Sequence, residues 1–397
     1  MDRSRICQQL APETRLKPTF DLVMKFQDIQ GKNTLKNQLV QQLTSGTIPH
    51  AQLFSGAEGS GHLSVALAWT QYLMCQQPNG TDSCGTCGSC VKVAKLIHPD
   101  VHFSFPVVSK KSGSKPTSND YMEEWRNAVI ANPHMSYTDW MDHIGAENKQ
   151  GNITKEECRS IIQKLSLKAY ENGPKVLLIW LPEYLGKEGN SLLKLIEEPP
   201  AETYFIFITE NIDNILPTIL SRTQEVRIPS YTNEEVSTFI TKTYPDADLD
   251  TVVFLADGDL NTAIHLANHQ EEGLGEVMQR WMRLCFRRDV PGLMKWSDEL
   301  GGKGRENIKH FMEYALKLVR EVLAAKTIPE YKPRLNESES EFVMNFSRVI
   351  HFANIEVVYD GLNKAHYQIE RNANPKLTLF QLSLQIRNSF MQNKQSA

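Results

Sequence analysis

Gly56-Ala-Glu-Gly-Ser-Gly-His-Leu-Ser64 follows directly on the short apolar run Ala51-Gln-Leu-Phe54. Two glycines with four residues between them, set after a strand and before a helical pattern, outline a phosphate-binding loop. In the working pattern, G-x-x-x-x-G-K-[S/T], backbone amides cradle phosphates, the lysine reaches the β and γ oxygens and the hydroxyl holds Mg²⁺. Here Gly56, Gly59 and Gly61 keep the flexible frame, but His62 stands at the lysine position and Leu63 at the hydroxyl position. A largely neutral imidazole replaces a fixed cation, and leucine cannot ligate a metal. Glu58 adds a negative charge inside the loop. The shape of the loop is expected to survive and hydrolysis is not, so the fold is read as an ATPase scaffold kept for assembly. Any binding of ATP by this chain is doubtful on the same grounds.

Outward from the loop, the strand–helix alternation continues. Leu63–Met74 reads as the helix after the loop, Ile153–Ala169 as a second helix, and Lys175–Leu181 as a continuous apolar strand of the doubly buried kind. Gly189–Glu198 reads as a helix stopped by Pro199 and Pro200, Tyr204–Glu210 as a strand, Ile212–Leu220 as a helix and Gln224–Ile228 as a last strand. The alternation predicts an α/β core with a three-layer parallel sheet. Before it, Leu35, Leu39 and Leu43 recur at helical spacing. Residues 104–150 are polar, contain Ser-Lys-Lys-Ser-Gly-Ser and show no period, so they are expected to be a partly mobile insertion.

After Pro229 only helical patterns remain. Glu234–Thr243 and Leu249–His269 read as a small helical lid, and amphipathic helices continue beyond Gly275. In one of these, Ile308, Phe311, Met312, Ala315, Leu318, Val319, Val322 and Leu323 trace a single wide apolar face. Asn336–Glu341 reads as a loop between helices. The expected domains are a disordered extension over 1–23, an α/β core over 24–230 with a cysteine module at 75–98, the lid over 231–272 and an all-helical region over 273–397. Organised pattern begins only at Met24, so either Met1 or Met24 is a plausible start.

A chain of 397 residues, 41% apolar and 23% charged, has ample core for two or three domains. A net charge of −4 excludes a global basic bias toward nucleic acid. No run approaches the ~18 apolar residues of a membrane span, and the first 23 residues lack the apolar stretch of a secretory signal. The expected setting is cytoplasmic, with reduced thiols.

Cys75, Cys84, Cys87 and Cys90 form C-x8-C-x2-C-x2-C on a glycine-bearing turn. Two C-x-x-C steps bring thiolates together as tetrahedral Zn²⁺ requires, and four ligands close the sphere, so the metal is structural. A disulfide or a redox pair is the competing reading, which a reducing setting disfavours. His98 is read as a packing residue, and Cys7, Cys158 and Cys285 stand alone. After the strand ending at Ile179, where an ATPase carries an acidic Mg²⁺-binding pair, this chain has Trp180 and Leu181; Glu183 is nearby but follows Pro182. Ser221-Arg222-Thr223 ends a helix just before a strand. An arginine so placed either reaches a γ-phosphate on a neighbouring subunit, an effect worth roughly 10³–10⁵ in rate where it operates, or is a solvated surface residue.

At these residues the sequence resembles the AAA+ clamp-loader family of bacterial DNA polymerase III. The resemblance rests on Phe26-x-x-Ile-x-Gly31, His50-Ala-x-Leu-Phe54, the cysteine module with His98-Pro-Asp100, Asn190-Ser-Leu-Leu-Lys-Leu-Ile-Glu-Glu-Pro-Pro200, Ser221-Arg222-Thr223 and Asn372-Ala-Asn-Pro-Lys-Leu377. It implies an AAA+ core with a zinc module, a helical lid and a C-terminal collar. It implies partners as well: ATPase motor subunits and a clamp-opening subunit in a hetero-pentamer that places a sliding clamp on primed DNA. Within such a ring the resemblance assigns this chain no ATPase activity of its own and makes Arg222 a catalytic finger acting in trans. Thr223 departs from the family's Cys, and Asn261 stands where active members carry an Arg facing their own nucleotide. Two other readings remain open at this point: an active ATPase with an unusual loop, and a zinc-containing nucleic-acid module, for which Lys92 and Lys95 offer few phosphate contacts.

Overall fold

A computed structural model describes residues 25–392 except 111–114, 147–148, 269–272, 334 and 372. The extension 1–23, Cys7 and Asn372 therefore lie outside the described residues. Two compact units emerge. One comprises the described residues up to Phe239 together with Gly258–Asn261, the other Ile240–Asp257 together with the described residues from Thr262 onward.

In the first unit the order is α1 (Asn33–Thr44), β1 (Ala51–Ser55), α2 (His62–Met74), α3 (Gly88–Ala94), β2 (Val101–Ser104), α4 (Met122–Ala131), α5 (Tyr137–His143), α6 (Lys155–Ser166), β3 (Lys175–Trp180), α7 (Leu193–Glu197), β4 (Thr203–Thr209), α8 (Pro217–Leu220) and β5 (Gln224–Arg227). The five strands form one parallel sheet in the order β2-β3-β4-β1-β5. Alternation along each strand fills two cores. Phe54, Val176, Leu178, Trp180, Ile206 and Ile208 face one, while Leu53, Leu177, Ile179, Phe205 and Phe207 face the other. Helices cover both faces, as the unbroken apolar strands require.

Several elements of this unit differ from the sequence reading. β2 was not foreseen, being a four-residue edge strand with His102 in it. Pro182–Leu192 winds as a 3₁₀ helix broken at Gly186 (φ 52°), which leaves α7 only five residues. Residues 104–150, expected to be a partly mobile insertion, supply much of the first core. Phe105 stacks on Trp125 at 4.2 Å, Trp140 lies edge-on to both, and Trp125 meets Trp180 of β3 at 5.1 Å.

Helices α9 (Asn233–Thr243), α10 (Leu249–Ala256) and α11 (Leu260–Asn268) cover the span read as a lid and are shared between the two units. The second unit continues with α12 (Leu274–Arg287), α13 (Val290–Gly301), α14 (Arg305–Thr327), α15 (Glu337–Val349), α16 (Phe352–Glu370) and α17 (Pro375–Gln392). Its core is stacked Trp281 and Trp296, 4.8 Å apart, with Phe311 edge-on to both. The apolar face read on α14 is buried except for Leu323, which is exposed. Asn336–Glu341, read as a loop, instead opens α15: the Asn336 side chain accepts from the Glu339 amide at 2.9 Å, the helix-capping use of asparagine.

Candidate functional site

β1 delivers the chain to the loop, and α2 leaves it with His62 as its first residue. Gly59 (φ 67°) and Gly61 (φ 80°) take left-handed backbone that a side chain would strain. Both are also closely covered. A methyl group on Gly59 would fall 1.7 Å from a carboxylate oxygen of Asp259, and one on Gly61 would fall 2.3 Å from the Tyr231 hydroxyl. The amide of Leu260 donates to the Gly59 carbonyl at 3.1 Å.

His62 is 3% exposed. Its Nδ1 lies 3.2 Å from the Ser60 hydroxyl and its Nε2 3.8 Å from Glu210, at the end of β4. Burial lowers its pKa to about 4, helped by the charge of Lys32, so the imidazole is neutral at physiological pH. Glu210 moves the other way, up to about 8, through burial first and then the neighbouring charges of Glu58, Glu183, Asp259 and Asp139. The place where phosphate would meet a lysine therefore holds a neutral ring among five carboxyl groups.

Glu183, the acid nearest the expected Mg²⁺ position, serves the backbone. It accepts from the Thr209 hydroxyl at 2.6 Å and from the amides of Glu210 and Asn211 at 3.1 and 3.2 Å. Asn261 is buried and bridges two residues of the 104–150 segment, accepting from Asn132 and donating to Asp139, each at 2.7 Å. The same segment reaches α2, where Ser64 donates to the Pro133 carbonyl at 3.0 Å. His134, beside Ser64 and half-buried, has its pKa lowered to about 3 by desolvation and by His62 and Lys32. Sequence reading missed Glu210 and Asn132. Glu210 was discoverable, because the residue after a parallel strand beside β1 lies at the carboxyl end of the sheet, where such folds place ligands.

At the other end of α2, Cys75 caps the helix and meets Cys84, Cys87 and Cys90. The four sulfurs lie within 4.8 Å of one another, and Cys84 and Cys90 are 3.9 Å apart. Tetrahedral Zn–S bonds of roughly 2.3 Å would separate sulfurs by roughly 3.8 Å, so the set fits one metal ion such as zinc. Amides of Cys84, Cys87 and Cys90 donate to the sulfurs of Cys75, Cys84 and Cys87 at 3.2–3.4 Å, and all four thiols are free of disulfides. The amides of Thr86 and Cys87 draw the Cys84 thiol down to about 6, while burial raises the thiols of Cys75 and Cys90. His98 is a packing residue: its Nδ1 accepts the Asp100 amide at 3.1 Å and its Nε2 meets Glu171 at 3.2 Å.

Arg222 follows α8 at the sheet's rim. Its Nε donates to Glu197 at 2.6 Å and its Nη1 to the Thr218 carbonyl at 2.8 Å. The side chain stays about one-third exposed.

Comparison with known proteins matches residues 31–232, just over half of the chain, to the family described as "DNA polymerase III, delta subunit". The chain belongs to that family. Among curated relatives, DNA polymerase III subunit delta' of Yersinia pestis is 30% identical over 193 residues, 48% of this chain and 44% of that one. DNA polymerase III subunit gamma of Buchnera aphidicola is 24% identical over 252 residues, 62% of this chain and 58% of that one. This family member thus spans about half the length of the curated relatives it matches. The Bacillus subtilis DNA clamp loader delta protein, a solved structure, overlaps 89% of this chain and 99% of its own at 10% identity, with a TM-score of 0.33, too low to carry an argument. No described helix is long and apolar enough to cross a membrane.

Proposed function

We propose that this chain is a subunit of a DNA polymerase III clamp loader that does not turn over ATP itself and lends Arg222 to the nucleotide site of an adjacent ATPase subunit. The observation that carries the first part is the buried, neutral His62 among Glu58, Glu183, Glu210, Asp139 and Asp259. Loss of the lysine alone would weaken phosphate binding; the same neighbouring charges that hold the Glu210 proton in place would repel a phosphate too, because like charges at a few ångströms oppose one another most where water is scarce. Asn261, held between Asn132 and Asp139, adds no cation.

Arg222 carries the partly exposed guanidinium that the family resemblance singles out, and its partner does not bar the role. Surface ion pairs are worth about 0–1 kcal/mol, whereas a finger accelerating phosphoryl transfer ~10³-fold supplies about 4 kcal/mol. A γ-phosphate on a neighbour would therefore displace Glu197. In this reading the partners are ATPase motor subunits and a clamp-opening subunit in a hetero-pentamer, acting on a sliding clamp and primed DNA. Zinc on the cysteines is structural, as the closed four-thiol set favours.

The deciding experiment reconstitutes the assembly with Arg222→Ala. Assembly should persist while clamp- and DNA-stimulated ATPase at the site Arg222 serves falls roughly 10³-fold, the lower end of what a removed finger costs. An unchanged rate would remove the finger, and ATP hydrolysis by the purified chain alone would remove the rest.

A further inference from the structure

The cysteine turn grips a second part of the chain besides α2. Asp82, two residues before Cys84, is 6% exposed. Its carboxylate accepts from the amides of Phe26 at 3.1 Å and Gln27 at 2.9 Å, 56 and 55 positions earlier in the chain. These amides open a short 3₁₀ turn, Phe26–Asp28, whose preceding residue Lys25 offers no side-chain cap, so Asp82 supplies the missing acceptor. Lys25 lies across the same cysteine turn: a methyl group on Gly85 (φ 75°) would fall 2.1 Å from its Cε and 2.6 Å from its Nζ. Phe26, buried, sits edge-on to Tyr72 of α2 at 5.8 Å. Residues 25–32 thus form a strap that begins on the cysteine turn. It ends where Lys32 covers the ring of Tyr231 at 3.9 Å and donates to the Pro229 carbonyl. Lys32 takes left-handed backbone (φ 55°), uncommon for a residue with a side chain, so that far end is held by contacts of its own.

What holds Asp82 in place decides whether the near end depends on the metal. Two side-chain hydrogen bonds tie its stretch of the turn to α2: the Tyr72 hydroxyl donates to the Gly80 carbonyl and Gln71 to the Ser83 hydroxyl, each at 2.9 Å. Neutral hydrogen bonds of this kind contribute little net stability, because water offers the same groups partners when the turn opens. The cysteines hold one another only through amide–sulfur and thiol–sulfur contacts, which are weak. Four thiolates on one ion supply far more. Together with Zn²⁺ they carry a net charge of about −2, which the nearby Lys25 ammonium offsets.

We propose that Asp82 is a latch through which a metal ion on Cys75, Cys84, Cys87 and Cys90 holds the start of the strap on the core, so that loss of the ion frees residues 25–27 while the rest of the unit stays folded. The inference rests on the reading of the four cysteines as a metal site. It makes that site a control on the order of a segment that is remote in sequence, and not only a brace for its own turn.

The test follows amide hydrogen exchange residue by residue in the full chain, with zinc content measured on the same samples. Stripping the metal with 1,10-phenanthroline should speed exchange at Phe26 and Gln27 at least about tenfold, and ZnCl₂ should restore the slow rate. The Leu260 amide, bonded to the Gly59 carbonyl, should stay protected throughout. Asp82→Ala should release the same two amides with one zinc per chain still bound. If that variant does not fold, the chelation series on the unaltered chain still decides. Slow exchange at Phe26 and Gln27 after the zinc has gone would overturn the latch and leave the metal site standing. Equal loss of protection at Leu260 would overturn it by showing that the whole unit unfolds. A native chain without zinc would remove the metal site, and the latch with it.

Discussion

Helix α2 has a glycine-bearing turn at each end, and the two have met opposite fates. At its N-terminus the phosphate loop keeps the left-handed glycines and has lost every side chain that would hold a nucleotide. At its C-terminus Cys75 joins three cysteines whose sulfurs still sit at metal-binding distances. All thirteen residues between them are buried. The helix is thus a packing element for both turns, and its place in the core does not depend on nucleotide. In the proposed reading, one end of the element has shed its chemistry while the other keeps four thiols that fit a metal ion. The reason is energetic: a closed metal site contributes directly to folding, whereas an ATP site contributes to turnover.

The sharpest way to break that contrast is to remove the metal. Cys87→Ser should abolish stoichiometric zinc, measured by elemental analysis at one ion per native chain. It should also unfold the turn between Cys75 and Cys90, since structural zinc supplies on the order of 10 kcal/mol in small sites. A native chain purified without metal, or a variant with unaltered melting temperature, would place the two ends of α2 on the same footing.

The phosphate end is tested by restoring and by relieving it. His62→Lys with Leu63→Thr returns the two missing side chains, yet MgATP should still fail to bind measurably, because Glu58, Glu183, Glu210, Asp139 and Asp259 remain around the loop. Micromolar binding by that double variant would show that the lysine alone mattered. Glu210→Gln examines the same acids through stability. The folded state holds the Glu210 proton up to about pH 8, while the unfolded chain releases it near the usual 4.5. That contribution is complete below pH 4.5 and is lost as pH rises to 8, at a cost of up to about 5 kcal/mol. His62, lowered to about 4, works in the other direction: its contribution is present above pH 6.5 and is lost as pH falls toward 4. Denaturant unfolding of Glu210→Gln should therefore show a gain at pH 8–9 that disappears at pH 5. An equal change at both pH values would mean that the carboxyl is not held protonated.

The contrast also separates what could be read in the sequence from what could not. Both turns of α2 were legible because each is a contiguous motif, as were β3 and β4, whose doubly buried strands are continuous apolar runs. The 104–150 segment was not. Its core contribution rests on a few widely spaced aromatics on short helices, too sparse for a period, and its contacts with Asn261 and Ser64 join residues 122, 129 and 69 positions apart. Of the acids around the loop, Glu58 and Glu183 were read in the sequence, while Asp139, Glu210 and Asp259 come from separate places in the chain that only the fold brings near them. The start of α15 was misread because an asparagine cap looks like loop composition until its side chain is seen to accept an amide. Trp125→Ala measures how far the segment belongs to the core. Removing a fully buried indole in contact with Phe105, Trp140 and Trp180 should destabilise by about 3–5 kcal/mol. A loss below ~1 kcal/mol would return the segment to the status of an appended insertion.

Arg222, the proposed finger, is paired with Glu197. Glu197→Gln should change the stability of the chain by no more than about 1 kcal/mol, since the pair is partly exposed. If the carboxylate only masks the guanidinium, the reconstituted assembly should keep its ATPase rate or gain up to about fivefold, the rate equivalent of that ion pair. If the rate falls instead, Glu197 positions the arginine, and the ion pair is part of the finger. A rate indifferent to Arg222→Ala and to Glu197→Gln alike would leave the rim as inert as the phosphate loop, with the cysteine end of α2 as the chemistry this region retains.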